Sequence, residues 1–348
     1  MLKEANLAAN ILKSNVGRLG FPYKLTFAVT GKCNSRCLSC GIWRKKPDGE
    51  LTSEEIKTFF RKSSGFNWVD VTGGEIFLRN DIADILKSII DNCKRLYNLH
   101  FPTNGLLTDR VVACAREIVK KKPPKLIVTV SLDGPPKVHD RLRGVPGGWE
   151  KAVETFRQLK TVKGVEVYFG MTLSNENAGL FQETLGSVRG ELPGVTSEDF
   201  HMNIAHTSAH YYSNEIPAGG LRKDEIVNEV ERFRKLKGIN LNPVFYLENR
   251  YLKSVKDYLK EGVTPLPCKA ASVSCFISPD GTVYPCSIWD KPLGNLKEVD
   301  YEFRRIWNAP DFRQAAADAH SKRCPNCWTP CEAYQTLLGN ALNPRVFL

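Results

Sequence analysis

Three cysteines lie close together in the stretch Cys33-Asn-Ser-Arg-Cys37-Leu-Ser-Cys40, which follows a predicted strand. The spacing allows one short loop to wrap three thiolates around an iron–sulfur cluster. A [4Fe–4S] cube normally takes four thiolates, so a loop that supplies three leaves one iron open. An open position is typical of a catalytic metal, whereas a structural zinc site is closed. The stretch therefore predicts a catalytic cluster held by Cys33, Cys37 and Cys40.

The composition of the whole chain agrees with a globular metalloprotein. It has 348 residues, 42% of them hydrophobic and 25% charged. Its 11 cysteines are better explained by metal ligation than by disulfides, which reducing compartments do not maintain. Cys93 and Cys114 stand alone in helical patterns and are expected in the core. The N-terminus lacks a signal peptide and no stretch reaches membrane-spanning length, so we expect a cytoplasmic protein without a membrane span.

The net charge limits the classes of partner. It is +11, from 49 Lys and Arg against 38 Asp and Glu. This excess indicates attraction to an anionic partner and leaves a phosphorylated metabolite or a lipid headgroup open as the substrate. No basic segment is interleaved with aromatic residues, which argues against nucleic-acid binding.

Strand and helix patterns alternate over the first two hundred residues. Repeated units of this kind predict a parallel sheet with its functional groups at the strand carboxyl ends, in a full or partial (β/α) barrel. Helix starts are indicated at Thr52, Asn80, Thr108 and Gly147. The predicted strands are Lys24–Thr30, Trp68–Thr72, Tyr97–Thr103, Lys125–Leu132, Val165–Leu173 and Asp199–Ala205.

Polar residues and glycines follow several of these strands. The second strand runs into Gly73-Gly74-Glu75, where glycines let the backbone come close to a ligand and the carboxylate can accept a hydrogen bond from an ammonium group. The fourth strand ends at Ser131, and Arg143 follows shortly after. These groups are candidates for a ligand site on the same edge of the sheet as the cysteine loop.

The cysteine loop followed by Gly-Gly-Glu resembles the radical S-adenosylmethionine (SAM) superfamily. The resemblance implies a partial, six-stranded barrel, a catalytic [4Fe–4S] cluster, and SAM bound to its open iron and cleaved to a 5′-deoxyadenosyl radical. It also implies that Gly73, Gly74 and Glu75 hold the SAM amino group, and that Ser131 and Arg143 contact its carboxylate or ribose. Two departures are Ile76 in place of a proline and Ser39 in place of an aromatic residue; Trp43 is the candidate for the missing apolar surface.

The last eighty residues contain a second set of cysteines. A predicted β-hairpin, with its turn at Pro279-Asp280-Gly281, carries cysteines on either side, and a Cys-x2-Cys pair follows. Four thiolates from these elements could equally hold a structural zinc ion, because spacing alone does not separate zinc from iron. The six cysteines are Cys268, Cys275, Cys286, Cys324, Cys327 and Cys331.

This region resembles the SPASM domain, or the shorter Twitch domain, which binds auxiliary [4Fe–4S] clusters in radical SAM enzymes. Two fully ligated clusters need about eight thiolates and the region has six, so the resemblance implies one auxiliary cluster. The preferred ligands are Cys268, Cys286, Cys324 and Cys327, and the competing pair is Cys275 with Cys331.

The sequence thus predicts four segments: residues 1–20 as a helical extension, 21–207 as the radical SAM barrel, 208–261 as a helical linker and 262–348 as the auxiliary-cluster domain. About twenty residues before the first strand are too few for a folded domain, so we expect no peptide-binding domain ahead of the barrel. Where the barrel meets the linker, the residues His206, His210, Tyr211 and Tyr212 are expected either to line the substrate pocket or to form a surface loop.

The expected function is that of a radical SAM enzyme, which abstracts hydrogen from a peptide or protein side chain, or from an anionic small molecule or lipid. A reductant such as flavodoxin or ferredoxin would supply the electron. The alternative is a non-catalytic iron–sulfur electron-transfer or binding protein on the same scaffold.

Overall fold

The computed structural model describes residues 2–46, 48–214, 220–238 and 242–343. Six parallel strands, each followed by at least one helix, form a partial (β/α) barrel, as the sequence predicts. The strands of the barrel are β1 (Lys24–Thr30), β2 (Trp68–Gly73), β3 (Asn98–Thr103), β4 (Lys125–Ser131), β5 (Glu166–Leu173) and β6 (Phe200–Ile204). The helices around it are α1 (Leu2–Ser14), α2 (Ser53–Lys62), α3 (Ile82–Asn92), α4 (Thr108–Val119), α5 (Pro136–Arg143), α6 (Gly148–Lys160) and α7 (Phe181–Glu191).

The alternation of side chains along the strands explains the barrel. In β4, β5 and β6 every second residue is buried, because it faces the covering helices, and the residues between face a central cavity. The outward side chains pack with the inner faces of the helices into one continuous apolar core. Local signals fix the helix starts: Thr52 caps α2 and exchanges hydrogen bonds with Glu55, as in a capping box.

The C-terminal region adds to this sheet. After α8 (Lys223–Lys237), α9 (Pro243–Lys253) and α10 (Val255–Glu261), strand β7 (Ser274–Ile277) pairs in parallel with β1. The antiparallel strand β8 (Val283–Tyr284) completes the predicted hairpin. Over the described residues the sheet therefore has eight strands, in the order β6-β5-β4-β3-β2-β1-β7-β8. The segment that follows the composition change near residue 262 is joined to the barrel, because β7 continues the barrel's sheet.

Helices from the C-terminal half complete the wall of the barrel beside β6. Helix α9 contacts β6, and it also packs against α13 (Pro330–Leu338), which follows α11 (Phe303–Trp307) and α12 (Pro310–His320). Pro330, Tyr334 and Leu337 lie on one face of α13 and line the central cavity. Within the described residues, no helix is both long and apolar enough to cross a membrane.

Candidate active site

A cavity of about 1170 Å³ occupies the centre of the barrel. It begins at the cysteine loop, at the carboxyl ends of the strands, and continues to Trp68, Asn98 and Lys125 at their amino ends. Pockets for a single drug-sized ligand measure about 300–1,000 Å³. The cavity is therefore large enough for two molecules in contact, at the barrel end where functional sites of such folds lie.

All three cysteines of the loop line this cavity and are half-buried, free thiols. The loop is fixed by its neighbours: the backbone N–H of Arg36 donates to the carbonyl of Arg143 at 2.9 Å, and the Asn104 side chain donates to Asn34 Oδ1 at 2.7 Å. We call the trio Cys33, Cys37 and Cys40 the loop site.

The electrostatics of the loop site suit a cationic metal group. Burial raises the pKa of Cys33 to about 11, against the opposing effect of a backbone hydrogen bond from Ser35. Burial likewise raises the pKa of Cys40. Without a metal these thiols stay neutral near pH 7, whereas a bound cluster supplies the positive charge that favours thiolates. The donor set therefore fits a [4Fe–4S] group with one open iron.

The two glycines after β2 allow direct packing on the cysteine loop. A Cβ atom on Gly73 would lie 2.2 Å from the carbonyl oxygen of Thr30, and one on Gly74 would lie 2.1 Å from that of Lys32. The close approach expected at these positions is thus made by the backbone of the loop itself. Both glycines also line the cavity, where the sequence predicts the SAM amino group.

Glu75 makes its contacts within the protein. It is 1% exposed, and its carboxylate accepts hydrogen bonds from the N–H of Asn104 at 2.7 Å, the N–H of Phe77 at 3.3 Å and the hydroxyl of Thr103 at 3.1 Å. The carboxylate joins the end of β2 to the end of β3. Its predicted contact with the SAM ammonium stays a prediction.

Burial of Glu75 leads to a pH-dependence that can be measured on metal-free protein. Burial raises the pKa of Glu75 to about 7, so its contribution to stability is complete below pH 4.5 and is lost as the pH rises through 7. At about 1.36 kcal/mol per pKa unit, the Glu75 carboxyl alone lowers the free energy of unfolding by about 3 kcal/mol over this range, and Glu332, whose pKa burial also raises to about 7, adds a decline of its own. Urea unfolding of Glu75→Gln should lack the part of the decline that Glu75 contributes. Glu54→Gln, an exposed change on α2, should retain it; equal slopes in both variants would contradict the assignment.

Arg143 connects the end of β4 to the loop site. Its Nε lies 2.7 Å from Asp133 Oδ2, and Nη1 lies 3.8 Å from the sulfur of Cys37. Burial tends to lower the pKa of Arg143, but Asp133 and Cys37 outweigh it and the pKa is raised. The cavity is lined by Arg143 and its ion-pair partner Asp133, and also by Ser131 and Trp43. Asp133 was not among the predicted site residues.

A second polar group that the sequence analysis missed lies deeper in the barrel. Lys24 Nζ lies 3.2 Å from Asp70 Oδ2, Asp70 Oδ1 lies 3.2 Å from His100 Nδ1, and His100 Nε2 lies 3.0 Å from the Thr129 hydroxyl. Burial tends to raise the pKa of Asp70, but Lys24 and the hydrogen bonds from His100 and Trp68 outweigh it and lower the pKa. Polar residues at alternating positions of the strands are the sequence signal that could have identified this group.

The C-terminal cysteines divide into two groups. Cys268, Cys286 and Cys327 share one buried apolar cluster, and Cys324 interacts electrostatically with Cys268 and Cys327. These four, the preferred ligands, are called the C-terminal site. The competing pair lies elsewhere: Cys275 is on β7 within the main core, and Cys331 lines the barrel cavity.

Both sites collect free thiols in one place. Burial raises the pKa of Cys268 to about 12, and it also raises the pKa values of Cys286 and Cys327. Across the described ranges, no three His, Cys, Asp or Glu side chains already stand at the spacing of a metal site. Ligation would therefore require the thiols to close around the cluster.

Known proteins resemble this chain in sequence and in fold. Residues 27–188 match the model of the radical SAM superfamily, and residues 268–336 match SPASM, an iron–sulfur cluster-binding domain. The antilisterial bacteriocin subtilosin biosynthesis protein AlbA of Bacillus subtilis is 26% identical, over 93% of this chain and 68% of its own length. An AdoMet-dependent heme synthase of Methanosarcina barkeri is 28% identical, over 84% of each chain.

A solved structure agrees in fold. SuiB of Streptococcus suis bound to S-adenosylmethionine superposes with a TM-score of 0.60 at 15% identity, covering 88% of this chain and 70% of SuiB. SuiB has also been solved bound to the precursor peptide SuiA. The radical SAM match implies a catalytic [4Fe–4S] cluster with SAM, and the SPASM match implies auxiliary iron–sulfur clusters at the C-terminal end. The chain belongs to the radical SAM superfamily and carries a C-terminal SPASM domain.

Proposed function

We propose that the chain cleaves SAM reductively at the loop site and abstracts hydrogen from a substrate held in the barrel cavity. The observation that supports this is the position of the loop-site thiols, which line the same continuous cavity as the polar groups deep in the barrel. When bound, the cluster would supply the electron that cleaves SAM to a 5′-deoxyadenosyl radical.

The chain's own residues orient SAM. Gly73 and Gly74 present backbone to the cavity beside the loop site, and Glu75 holds the turn in place through its bonds to β3. Arg143 presents a buried cation whose guanidinium is oriented by Asp133. The backbone at Gly73 and Gly74 suits the ammonium of an amino-acid group, and the guanidinium of Arg143 suits its carboxylate. Trp43 offers apolar surface on the same side.

The C-terminal site is proposed to hold one auxiliary [4Fe–4S] cluster through Cys268, Cys286, Cys324 and Cys327. Its apolar surroundings are completed by Ala270, Ile288 and Ala319. Ionising buried thiols in such surroundings is costly, which subtracts from the free energy of metal binding. Because folding brings the four thiols together, a metal group bound at this site would also stabilise the folded chain.

The substrate is proposed to be a peptide or protein side chain. Charged groups along the cavity are paired, as in Lys24 with Asp70 and Lys125 with Glu166 at 3.0 Å, so the interior presents little uncompensated charge. A second candidate, an anionic small molecule or lipid headgroup, is favoured by Arg250, which lines the cavity and has no side-chain partner within the described residues. A flavodoxin or ferredoxin is the proposed electron donor.

Metal content tests the two-site assignment. Anaerobically reconstituted protein should hold about eight irons, two [4Fe–4S] cubes. Cys268→Ser with Cys286→Ser should lower the count to about four, because two of four ligands at one site are lost. Cys93→Ser and Cys114→Ser, which alter buried thiols in the core, should leave it unchanged.

Other results would contradict this arrangement. A count of about twelve irons in the unsubstituted protein would require a third cluster. Zinc at the C-terminal site with about four irons would remove the auxiliary cluster. Loss of iron on Cys275→Ser, with none on Cys268→Ser, would favour the competing ligand pair.

A further inference from the structure

Residues 206–214, here called the strap, run between the loop site and the C-terminal site. The sequence predicts that residues of this segment either line the substrate pocket or form a surface loop. It follows the end of β6, and its members contact both cysteine regions through side chains and backbone.

The strap is bonded to the loop that carries Cys33, Cys37 and Cys40. The backbone N–H of Gly41 donates to the carbonyl of Tyr212 at 2.7 Å, and the Asn214 side chain donates to the carbonyl of Ser39 at 2.7 Å. A Cβ atom on Gly41 would lie 2.1 Å from the carbonyl oxygen of Ser213. The glycine directly after Cys40 therefore permits this close approach.

The same strap is bonded to the C-terminal region. The Ser208 hydroxyl donates to the carbonyl of Ser287, next to Cys286, at 2.7 Å. The backbone N–H of Trp328, next to Cys327, donates to His206 Nε2 at 3.0 Å. Each bond ends one residue from a proposed ligand, so displacement of either cysteine region would move the strap.

Tyr212 is the member of the strap that packs on both sites. Its ring packs against the apolar cluster that contains Cys268, Cys286 and Cys327. It also packs against the cluster of Ala28, Ile42, Tyr211 and Phe276, on which Cys33 and Cys40 pack as well. Its phenol forms no hydrogen bond within the described part of the chain, whereas the neighbouring Tyr211 bonds to the Thr72 hydroxyl at 2.7 Å. What Tyr212 contributes is therefore the body of its ring.

We propose that Tyr212 is a positioning residue shared by the two iron–sulfur sites, and that its ring excludes water from both and thereby sets both reduction potentials. The inference rests on the proposed function, which places a cluster at each site. Solvent exposure and hydrogen bonds to cluster sulfurs are established determinants of cluster potential. Because reduction adds negative charge, access of water to a cluster makes its reduction easier.

The test compares four variants of the reconstituted protein in redox titrations followed by electron paramagnetic resonance, with SAM and substrate absent. Tyr212→Ala should raise the ratio of reduced to oxidised cluster at both sites at least tenfold at a fixed potential, a shift of about 59 mV for one electron. Tyr212→Phe should leave both unchanged. Tyr284→Ala removes a ring that packs on the apolar cluster beside Cys33 and Cys40 and not on the one that contains Cys268. Trp289→Ala removes a ring with the opposite placement, so each variant should shift one site alone.

A shift at one site only, or none, in Tyr212→Ala would overturn the inference. If Tyr212→Ala does not fold, Tyr212→Leu takes its place and is tested in the metal-free state by alkylation with iodoacetamide. Cys40 and Cys327 should both react faster in Tyr212→Leu than in Tyr212→Phe. Unchanged rates would refute the shared role. An unsubstituted protein with about four irons would remove the proposed auxiliary cluster, and with it this inference, before any variant is compared, while SAM cleavage at the loop site would still stand.

Discussion

Replacing Cys33, Cys37 and Cys40 together by alanine should abolish the formation of 5′-deoxyadenosine from SAM under dithionite reduction. These thiols are the predicted ligands of the cluster with an open iron, and they line the cavity beside Gly73 and Gly74. The visible absorbance of the C-terminal cluster should persist, because its proposed ligands lie in a separate buried cluster. Anaerobic chromatography of the nucleoside products, with an absorbance spectrum of the same sample, measures both quantities.

The reverse substitution is the matched control. Cys268→Ser with Cys286→Ser should leave dithionite-driven SAM cleavage measurable, since the loop site is intact, but should abolish conversion of the true substrate. SAM cleavage that survives in the triple alanine variant would show that the catalytic cluster has been assigned to the wrong cysteines. Absence of cleavage in the unsubstituted protein would instead favour the non-catalytic alternative, an iron–sulfur electron carrier or binding protein on this scaffold.

The barrel was predictable because its signals are local. Each of the six predicted barrel strands matches an observed strand to within a residue or two at each end, since inward and outward positions alternate along β4 and β5 and turn residues bound them. The place of β7 beside β1 was not predictable. That pairing joins Lys24 to Ser274, and nothing in either segment specifies a partner so distant in the sequence.

The candidate site divides in the same way. The loop cysteines and the glycines after β2 are close in sequence and have a specific pattern, so they could be identified. The strap and the group around Asp70 could not, because their roles arise from contacts between distant segments, such as Gly41 with Tyr212. Composition also suggested a boundary near residue 262, whereas α13 forms part of the cavity wall.

Lys24→Met should be the most destabilising single substitution in the barrel interior. Lys24 is 1% exposed, its ammonium pairs with Asp70, and it donates a hydrogen bond to the carbonyl of Cys331 at the start of α13. Removing one partner of a buried pair leaves the other charge uncompensated and costs about 3–5 kcal/mol. Here the cost includes Glu332, a second buried carboxylate that interacts with Lys24. Urea unfolding of metal-free protein measures the loss.

Two further variants separate charge burial from general damage to the core. Lys24→Met with Asp70→Asn should recover most of the loss, because paired removal of buried charges is often neutral. Lys121→Met breaks an exposed pair with Asp91 at 2.8 Å and should cost about 0–1 kcal/mol. A double variant as unstable as Lys24→Met would contradict the electrostatic account and assign the loss to the contact with Cys331. In that case the lysine would act mainly by fixing α13, and with it one wall of the barrel cavity.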